Sequence, residues 1–200
     1  MQTTIEIIKT LREETGAMVM DCRRALENTD WNYPRALQLL RDQAAEKARK
    51  KASHQADEGV IELYTHANGR IGVMVEVNTE TEFASSSEVF RRFAHEIALQ
   101  VASLSPLYVS DADIPAALLD EMAGESSVKA RAAGKPEAIV EKITAGVVEK
   151  YKNTHVLLRQ AYIRDENLTI AQLLEGMVAQ VGENIVIRRF LRWEIVPEAD

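Results

Sequence analysis

The first fifty positions of the chain place apolar residues at helical spacing, with a capping pattern in front of them. Thr3 and Glu6 stand three residues apart, in the arrangement that satisfies free N–H groups at a helix start. The apolar spacing recurs from position 18 to position 28 and again after Asn32, which suits a helix cap. The pattern predicts a bundle of three short helices over residues 1–50. The second helix is predicted to place on one face Met18, Cys22, Ala25 and Leu26.

A basic run follows this bundle. Lys47, Arg49, Lys50 and Lys51 lie in a stretch that has lost its apolar anchors. We therefore predict a solvated helix tail and then a basic linker over residues 51–57. The positive charge leaves three interpretations open: a solvated face, a contact with phosphates, or a contact with an acidic surface of a partner protein.

Strict alternation replaces helical spacing after Gly59. Every second residue from Ile71 to Val77 is apolar, and the Asn68-Gly69 pair in front of this segment is a strong hairpin signal. A further strand is predicted from Asn184 to Val196. We expect the hairpin and this last strand to share one small antiparallel sheet. The alternate positions of the last strand are Ile185, Ile187, Arg189, Leu191, Trp193 and Ile195.

Helical spacing returns between the hairpin and the last strand, while the segment 157–163 fits a strand and an extended loop equally well. The elements together predict the α+β class, with a core domain over residues 58–200 in which the small sheet packs against helices. The predicted helices are one that Ser85 and Glu88 cap and Ser105-Pro106 ends, one from Pro115 to Ala133, one that restarts after Pro136, and one that Thr169 and Gln172 cap and Gly182 ends.

Composition narrows the class of protein. The 200-residue chain is 46% hydrophobic and has a net charge of −7. That charge argues against a general nucleic-acid binder, whose affinity comes largely from Lys and Arg on phosphates. The one cysteine, Cys22, rules out a disulfide framework, and it fits plain packing better than a reactive thiol beside Arg23 and Arg24. The opening Met1–Lys9 has no signal segment, so we expect a cytoplasmic protein.

No group of residues in the sequence suggests catalytic chemistry. The four histidines lack metal-ligand spacing, and phosphate-binding, dinucleotide and serine-hydrolase motifs are missing. We expect a non-catalytic protein-binding factor without cofactor or metal. Gly69-Arg70-Ile71-Gly72 matches the GXXG loop of KH-type RNA-binding domains, where the loop joins two helices rather than two strands. An RNA-binding adaptor therefore stays as the rival interpretation.

Four stretches of the sequence together resemble the elongation factor Ts family. They follow the order of that family from about Ile5 to Ile195. The first resembles the signature of a ubiquitin-associated-like three-helix module at the N-terminus of the family. The resemblance is to the short form, which has one core subdomain and lacks the coiled-coil insertion. The stretches are Leu11–Leu26, Glu76–Phe83, Gly134–Pro136 with Lys142–Tyr151, and Val181–Phe190.

The resemblance implies guanine-nucleotide exchange in translation elongation. Members of this family bind elongation factor Tu and expel GDP, so the implied partner is elongation factor Tu in its GDP and nucleotide-free forms. In the family a Thr-Asp-Phe motif enters the G domain of the partner and disturbs its Mg²⁺ and phosphate site. Without the resemblance, Phe83 would be expected to pack beside Phe90. The matching turn here is Thr81, Glu82 and Phe83, followed by Ala84, Ser85 and Ser86.

Further contacts are implied by position. Arg23 in the module and Lys51 at the hinge match basic residues that approach the partner, and core domains of some short-form relatives pair as homodimers. Neither nucleic acid nor membrane contact is implied. The turn departs from the family, which has aspartate at 82, Val-Ala and a basic residue at 84–86, and often cysteine at 79. A scaffold that binds elongation factor Tu without exchanging nucleotide is therefore a second alternative.

Overall fold

The computed structural model describes residues 3–195, and its elements confirm the α+β class. Residues 1–2 and 196–200 lie outside the described residues, and with them Val196 and the outer ends of the predicted segments 1–50 and 58–200. The helices are α1 (Thr4–Thr15), α2 (Val19–Asn28), α3 (Tyr33–Lys51), α4 (Glu82–Ser85), α5 (Glu88–Leu104), α6 (Ala116–Ala132), α7 (Glu137–His155) and α8 (Ile170–Val181). The strands are β1 (Glu58–His66), β2 (Ile71–Thr79), β3 (Ala161–Tyr162), β4 (Asp165–Thr169) and β5 (Ile185–Glu194).

The chain divides into two compact units. One combines Met1–Ala102 with Ala171–Asp200, and the other is Ser103–Ile170. The predicted division into a docking module, a linker and a core domain concerns function, and it stays a prediction. Within residues 3–195, no helix combines the length and the apolar character needed to cross a membrane.

The three-helix bundle forms as predicted. Thr3 and Glu6 make both hydrogen bonds of the capping pattern, and the side chain of Asn32 accepts from the N–H of Arg35 at 3.1 Å. Cys22 is fully buried in the core of the bundle, and this burial raises the pKa of its thiol, which favours the packing role. The buried residues of this core are Leu11, Cys22, Ala25, Leu26, Ala36 and Leu40.

The bundle meets α8 where Gly16 lies close to the side chain of Gln180. Gly16 ends α1 in the left-handed conformation, with a φ of 66°, and a Cβ at this position would lie only 2.8 Å from the side-chain oxygen of Gln180. A larger residue would therefore be strained in its backbone and would displace the Gln180 side chain. The basic run from Lys47 to Lys51 is helical, because α3 continues to Lys51, and the rest of the predicted linker lies outside the helix.

The hairpin and the last strand share one antiparallel sheet, as predicted, in the order β1-β2-β5. Val73, Val75 and Val77 of the central strand face the core and are buried. Helix α5 covers this face, where Nδ1 of His95 lies 2.8 Å from Oε1 of Glu62 in β1. The GXXG segment forms part of the hairpin turn and the start of β2, and it does not join two helices.

One extra residue interrupts the alternation of β5. Val77 pairs with Ile187, whereas the preceding Glu76 pairs with Arg189, so Arg188 is a bulge. A bulge reverses the faces on which the later side chains lie. Ile187 is therefore buried, whereas Leu191 is exposed. The prediction of one uninterrupted alternation from Ile185 to Ile195 is wrong for this reason.

The second unit, Ser103–Ile170, is built on a pair of helices. Helices α6 and α7 pack together on either side of a tight connection. The ambiguous segment 157–163 forms a 3₁₀ turn from Leu157 to Arg159 and then the two-residue strand β3, which pairs with β4. Arg159 donates two hydrogen bonds to the Asp111 carboxylate and thereby lowers the pKa of Asp111.

Candidate functional site

The predicted exchange turn begins where β2 ends. Thr81 is the N-cap of α4, and its side-chain oxygen accepts from the N–H of Ala84 at 3.2 Å. Threonine suits this role because its hydroxyl satisfies an N–H group that the helix leaves free. Glu82 lies in the first helical turn, where a negative charge is favourable. The residues that match the family turn thus form a cap and one turn of helix.

A serine different from the predicted one caps the next helix. Ser87 accepts from the N–H of Phe90 at 3.3 Å and donates to the carbonyl of Ala84 at 2.7 Å. The predicted capping pair of Ser85 and Glu88 is therefore wrong, because Ser85 belongs to α4 and donates its hydroxyl to a carbonyl of that helix. Ser87 thereby links the end of α4 to the start of α5.

Phe83 is 89% exposed, more than any other large apolar side chain of the described residues. Reasoning from the residues alone, without the family resemblance, placed Phe83 against Phe90 in the core. This expectation is wrong, since Phe90 is fully buried and Phe83 is not. A helix of one turn can bury only one side, and here Ala84 and Ser85 are its buried residues. The short helix is thus anchored by small residues and presents its aromatic residue to solvent.

The six residues predicted for this site therefore divide into two groups. Thr81, Glu82, Phe83 and Ser86 are exposed, and Ala84 and Ser85 are buried. The exposed group could contact a partner directly. The buried pair can act only by supporting the turn.

The second predicted group of contacts lies on the bundle and its tail. Arg23 is about half exposed, and its Nε donates to Oε1 of Glu27 at 2.7 Å within α2. Lys51 ends α3, and its Nζ lies 3.9 Å from Oε1 of Glu80, next to the turn. The structure thus brings Lys51 to the base of the turn, and it leaves Arg23 on the bundle.

Glu80 ties the linker to the end of β2. The N–H of Asn184 donates to its carboxylate at 2.6 Å, and Nδ1 of His54 lies 3.0 Å from the same carboxylate. The Asn184 bond, and after it the His54 bond, lowers the pKa of Glu80. Asn184 also donates its side-chain amide to the carbonyl of His54 at 2.7 Å. The linker is therefore held by hydrogen bonds, which its polar sequence did not predict.

The sequence interpretation missed an apolar patch on the bundle. Met18, Val19 and Met20 are all exposed. Met18 was predicted on the buried face of α2, but it is the N-cap residue and lies outside the helical repeat. A run of three apolar residues at a helix start is the signal that could have revealed the patch, because a helix buries only part of such a run.

The described residues offer no metal site of the usual kind. Among residues 3–195, no group of three or more His, Cys, Asp or Glu side chains could hold a metal ion. The arrangement of the candidate site suits recognition of a protein surface, because it consists of an aromatic residue on a short helix, a fixed linker and an apolar patch.

The chain is similar to known proteins over most of its length. The family model described as elongation factor TS matches residues 44–177. Elongation factor Ts of Thermoanaerobacter sp. (strain X514) is 42% identical over 189 residues, which cover 94% of this chain and 93% of that protein. That of Coprothermobacter proteolyticus is 39% identical over 98% of this chain and 99% of its own length, and that of Acetivibrio thermocellus is 44% identical over 96% and 89%.

The chain belongs to the elongation factor Ts family. This membership gives it a role in nucleotide exchange during translation elongation, and it confirms the family that the four sequence stretches indicated. The family model covers α4 and α5, and the relatives also cover most of the three-helix bundle. How the turn, the bundle and the linker contribute to exchange is a separate question.

The exposure of Phe83 predicts a difference in stability between two phenylalanine variants. Phe83→Ala should change the free energy of unfolding by no more than about 0.5 kcal/mol, because its side chain is already in water. Phe90→Ala removes a fully buried ring and should cost about 3–5 kcal/mol, which lowers the melting temperature by on the order of 10 °C. Thermal melts followed by circular dichroism measure both. A large loss in Phe83→Ala would contradict the exposed position of this side chain.

Proposed function

We propose that this chain binds elongation factor Tu in its GDP form and releases GDP by inserting the Thr81-Glu82-Phe83 turn near the Mg²⁺ and phosphate site. The observation that carries the proposal is the 89% exposure of Phe83 on a helix whose other side is anchored in the core. The residues match the family motif in position, with glutamate in place of aspartate.

Insertion of an aromatic side chain can supply much of the energy that exchange needs. A factor that lowers the nucleotide affinity of its partner a thousandfold needs about 4 kcal/mol of coupling between the two binding events. Burying an aromatic hot spot contributes about 2–4 kcal/mol. Phe83 is therefore a major source of the coupling energy, and other contacts of the turn supply the rest.

Glu82 supports the same mechanism by its charge. It is exposed in the first turn of α4, directly beside Phe83. A carboxylate brought near a diphosphate repels the phosphates, and it competes with them for the Mg²⁺ ion. Both effects weaken GDP in the complex, and neither requires covalent chemistry.

The three-helix bundle is proposed as the docking module. Its exposed Met18, Val19 and Met20 form an apolar patch at the start of α2, and Arg23 is exposed further along the same helix. Methionine adapts well to a partner surface because its side chain is flexible and polarizable. Arg23 and Lys51 would add charge contacts with the G domain of the partner.

The outer face of the sheet is proposed as a homodimer surface. Leu63, Met74 and Leu191 lie opposite one another across the three strands, and Trp193 in β5 is 73% exposed. Two sheets of this kind can pack face to face about 10 Å apart, as in a β-sandwich. A second copy fits best, because a two-fold axis would place the same apolar row on both sides of the interface.

One of the two alternatives remains as an outcome of the experiments. A scaffold that binds elongation factor Tu without exchange is distinguished by the rate of GDP release. The RNA-binding adaptor has lost its main support, because the GXXG segment lies in a hairpin instead of between helices.

The first functional prediction concerns GDP release. Saturating amounts of the wild-type protein should speed the release of fluorescent GDP from elongation factor Tu. Phe83→Ala should reduce the stimulated rate by about ten- to a thousandfold, which corresponds to about 1.4–4 kcal/mol. Val128→Ala, which shortens an exposed side chain in α6, is the control. A wild-type protein that forms the complex but leaves the release rate unchanged would indicate the scaffold.

The second prediction separates docking from exchange. The double substitution Met18→Ala and Met20→Ala should raise the concentration of factor needed for half-maximal GDP release about thirtyfold, because each methionine contributes on the order of 1 kcal/mol of binding and the two together contribute about 2 kcal/mol. The maximal rate should stay close to that of the wild type. Ile5→Ala shortens another exposed residue of the bundle and serves as the matched control. Equal half-saturation in all variants would refute docking through this patch.

The third prediction concerns the oligomeric state. Analytical ultracentrifugation should find a wild-type dimer and a Met74→Glu monomer, because the substitution places two like charges at the centre of an apolar interface. We expect dimerisation to weaken on the order of a hundredfold, or about 3 kcal/mol. Val128→Glu adds the same charge to an exposed position on α6 and should remain dimeric. A wild-type monomer at high concentration would exclude this interface.

A further inference from the structure

The loop between α8 and β5 supplies the contacts that fix the proposed exchange turn. Gly182 follows α8 with a φ of 81°, a backbone conformation that favours glycine. The chain then reverses, and Glu183 and Asn184 lie against the end of β2. These residues are about a hundred positions away from the turn in the sequence, as the separations of 102 and 104 residues show.

Glu183 accepts three hydrogen bonds with its carboxylate. Its Oε2 accepts from the hydroxyl of Thr79 at 2.9 Å and from the N–H of Thr81 at 3.0 Å. Its Oε1 accepts from the hydroxyl of Thr81 at 2.7 Å. Bonds to an ionised acceptor are stronger than those between neutral groups. The carboxylate therefore fixes the backbone and the side chain of Thr81 together.

This arrangement determines the direction of α4. The Thr81 hydroxyl donates to Glu183 and accepts from the N–H of Ala84, so the same group joins the α8–β5 loop to the first turn of the helix. A helix of four residues is too short to be stable by its own hydrogen bonds. The position of Phe83 on that helix therefore depends on the bonds that hold Thr81.

We propose that Glu183 is a positioning residue that holds the Thr81-Glu82-Phe83 turn in the conformation that nucleotide exchange requires. The inference rests on the proposed function of the turn. Glu183 makes the turn rigid before the partner arrives, so that binding does not have to order it. Loss of the carboxylate leaves the turn free to fray, and less of the bound protein then has Phe83 in place.

Asn184 offers a matched control for a merely structural role. It is the next residue and is more deeply buried than Glu183, and its side chain donates to the carbonyl of His54 in the linker instead of to the turn. Its backbone N–H, which holds Glu80, survives substitution by alanine. Glu183→Ala and Asn184→Ala thus remove neighbouring polar side chains of the same loop, and only the first releases Thr81.

Two measurements on the full chain test the inference. In amide hydrogen exchange, the protection factors of Thr81 and Ala84 should fall at least tenfold in Glu183→Ala and stay unchanged in Asn184→Ala. Release of fluorescent GDP should show a maximal rate about tenfold lower for Glu183→Ala, with the half-saturating concentration changed less than twofold. This split is expected because the turn acts after docking, whereas loss of folded protein would lower the apparent concentration of factor.

A double substitution adds a readout that general destabilisation would not produce. Thr81→Val removes the hydroxyl that Glu183 and Ala84 share but keeps the N–H that donates to Glu183. The loss of rate in Thr81→Val combined with Glu183→Ala should therefore be clearly smaller than the product of the two single losses. Additive losses would show that Glu183 acts elsewhere, and would overturn the inference. Unchanged protection at Thr81 in Glu183→Ala would also overturn it, as would equal losses of protection at Thr81 in Glu183→Ala and Asn184→Ala.

Failure of the proposed function is distinguishable from failure of this inference. A wild-type protein that does not stimulate GDP release refutes the exchange role. In that case, if Glu183→Ala loses amide protection at Thr81 and Asn184→Ala does not, Glu183 still holds the turn. Stimulation by the wild type together with normal stimulation and protection in Glu183→Ala refutes the positioning role alone.

Discussion

Hydrogen bonds to the Glu183 and Glu80 carboxylates at the end of β2 are the interactions on which the presentation of Phe83 depends. Glu183 holds Thr81, and Glu80 is held by Asn184 and contacts His54 in the linker. Each of these bonds joins segments that are distant in the sequence. A one-turn helix placed elsewhere on the surface would have no defined direction, because its own hydrogen bonds cannot stabilise it.

The proposed insertion, docking and dimer contacts would bury apolar surfaces that the folded monomer leaves exposed. Phe83, the Met18–Met20 patch and the outer face of the sheet all leave apolar area in water. Burying such area stabilises a structure by about 25 cal/mol per Å². Because the folded monomer forgoes this energy, it remains available for association. The net charge of −7 opposes unspecific aggregation through these surfaces.

Local patterns predicted the fold where neighbours in the sequence decide the structure. The cap at Thr3 needs only Glu6, and the hairpin needs only its alternating strands and the turn between them. The Arg188 bulge could not be predicted, because it depends on how β5 pairs with β2 and because one extra residue leaves no mark in composition. In the site, the exposed Phe83 followed from the family motif, since physical reasoning from its own residues favoured burial.

The role of Glu183 escaped sequence reasoning for a related reason. The stretch Val181–Phe190 was recognised as a family motif, yet nothing in it indicates a contact with Thr79 or Thr81. A glutamate after a glycine looks like an ordinary loop residue in the sequence. Its carboxylate oxygens become acceptors for Thr81 only because the fold brings the two residues together. Long-range hydrogen bonds of this kind are specified by the complete topology, and local spacing carries no trace of them.

The contacts of Glu80 with the linker also limit how far the proposed docking module can move relative to the turn. A free linker of the length of residues 52–57 would let its ends vary over about 13 Å, from roughly 5–6 Å times the square root of the number of residues. Lys51 and His54 lie against Glu80, one residue before Thr81, and Asn184 holds the backbone of His54. In the proposed mechanism, docking by the bundle would then present the turn at a high effective concentration and in a fixed direction. Binding energy gained at the bundle could thus be used at the nucleotide site more fully than a flexibly joined module would allow.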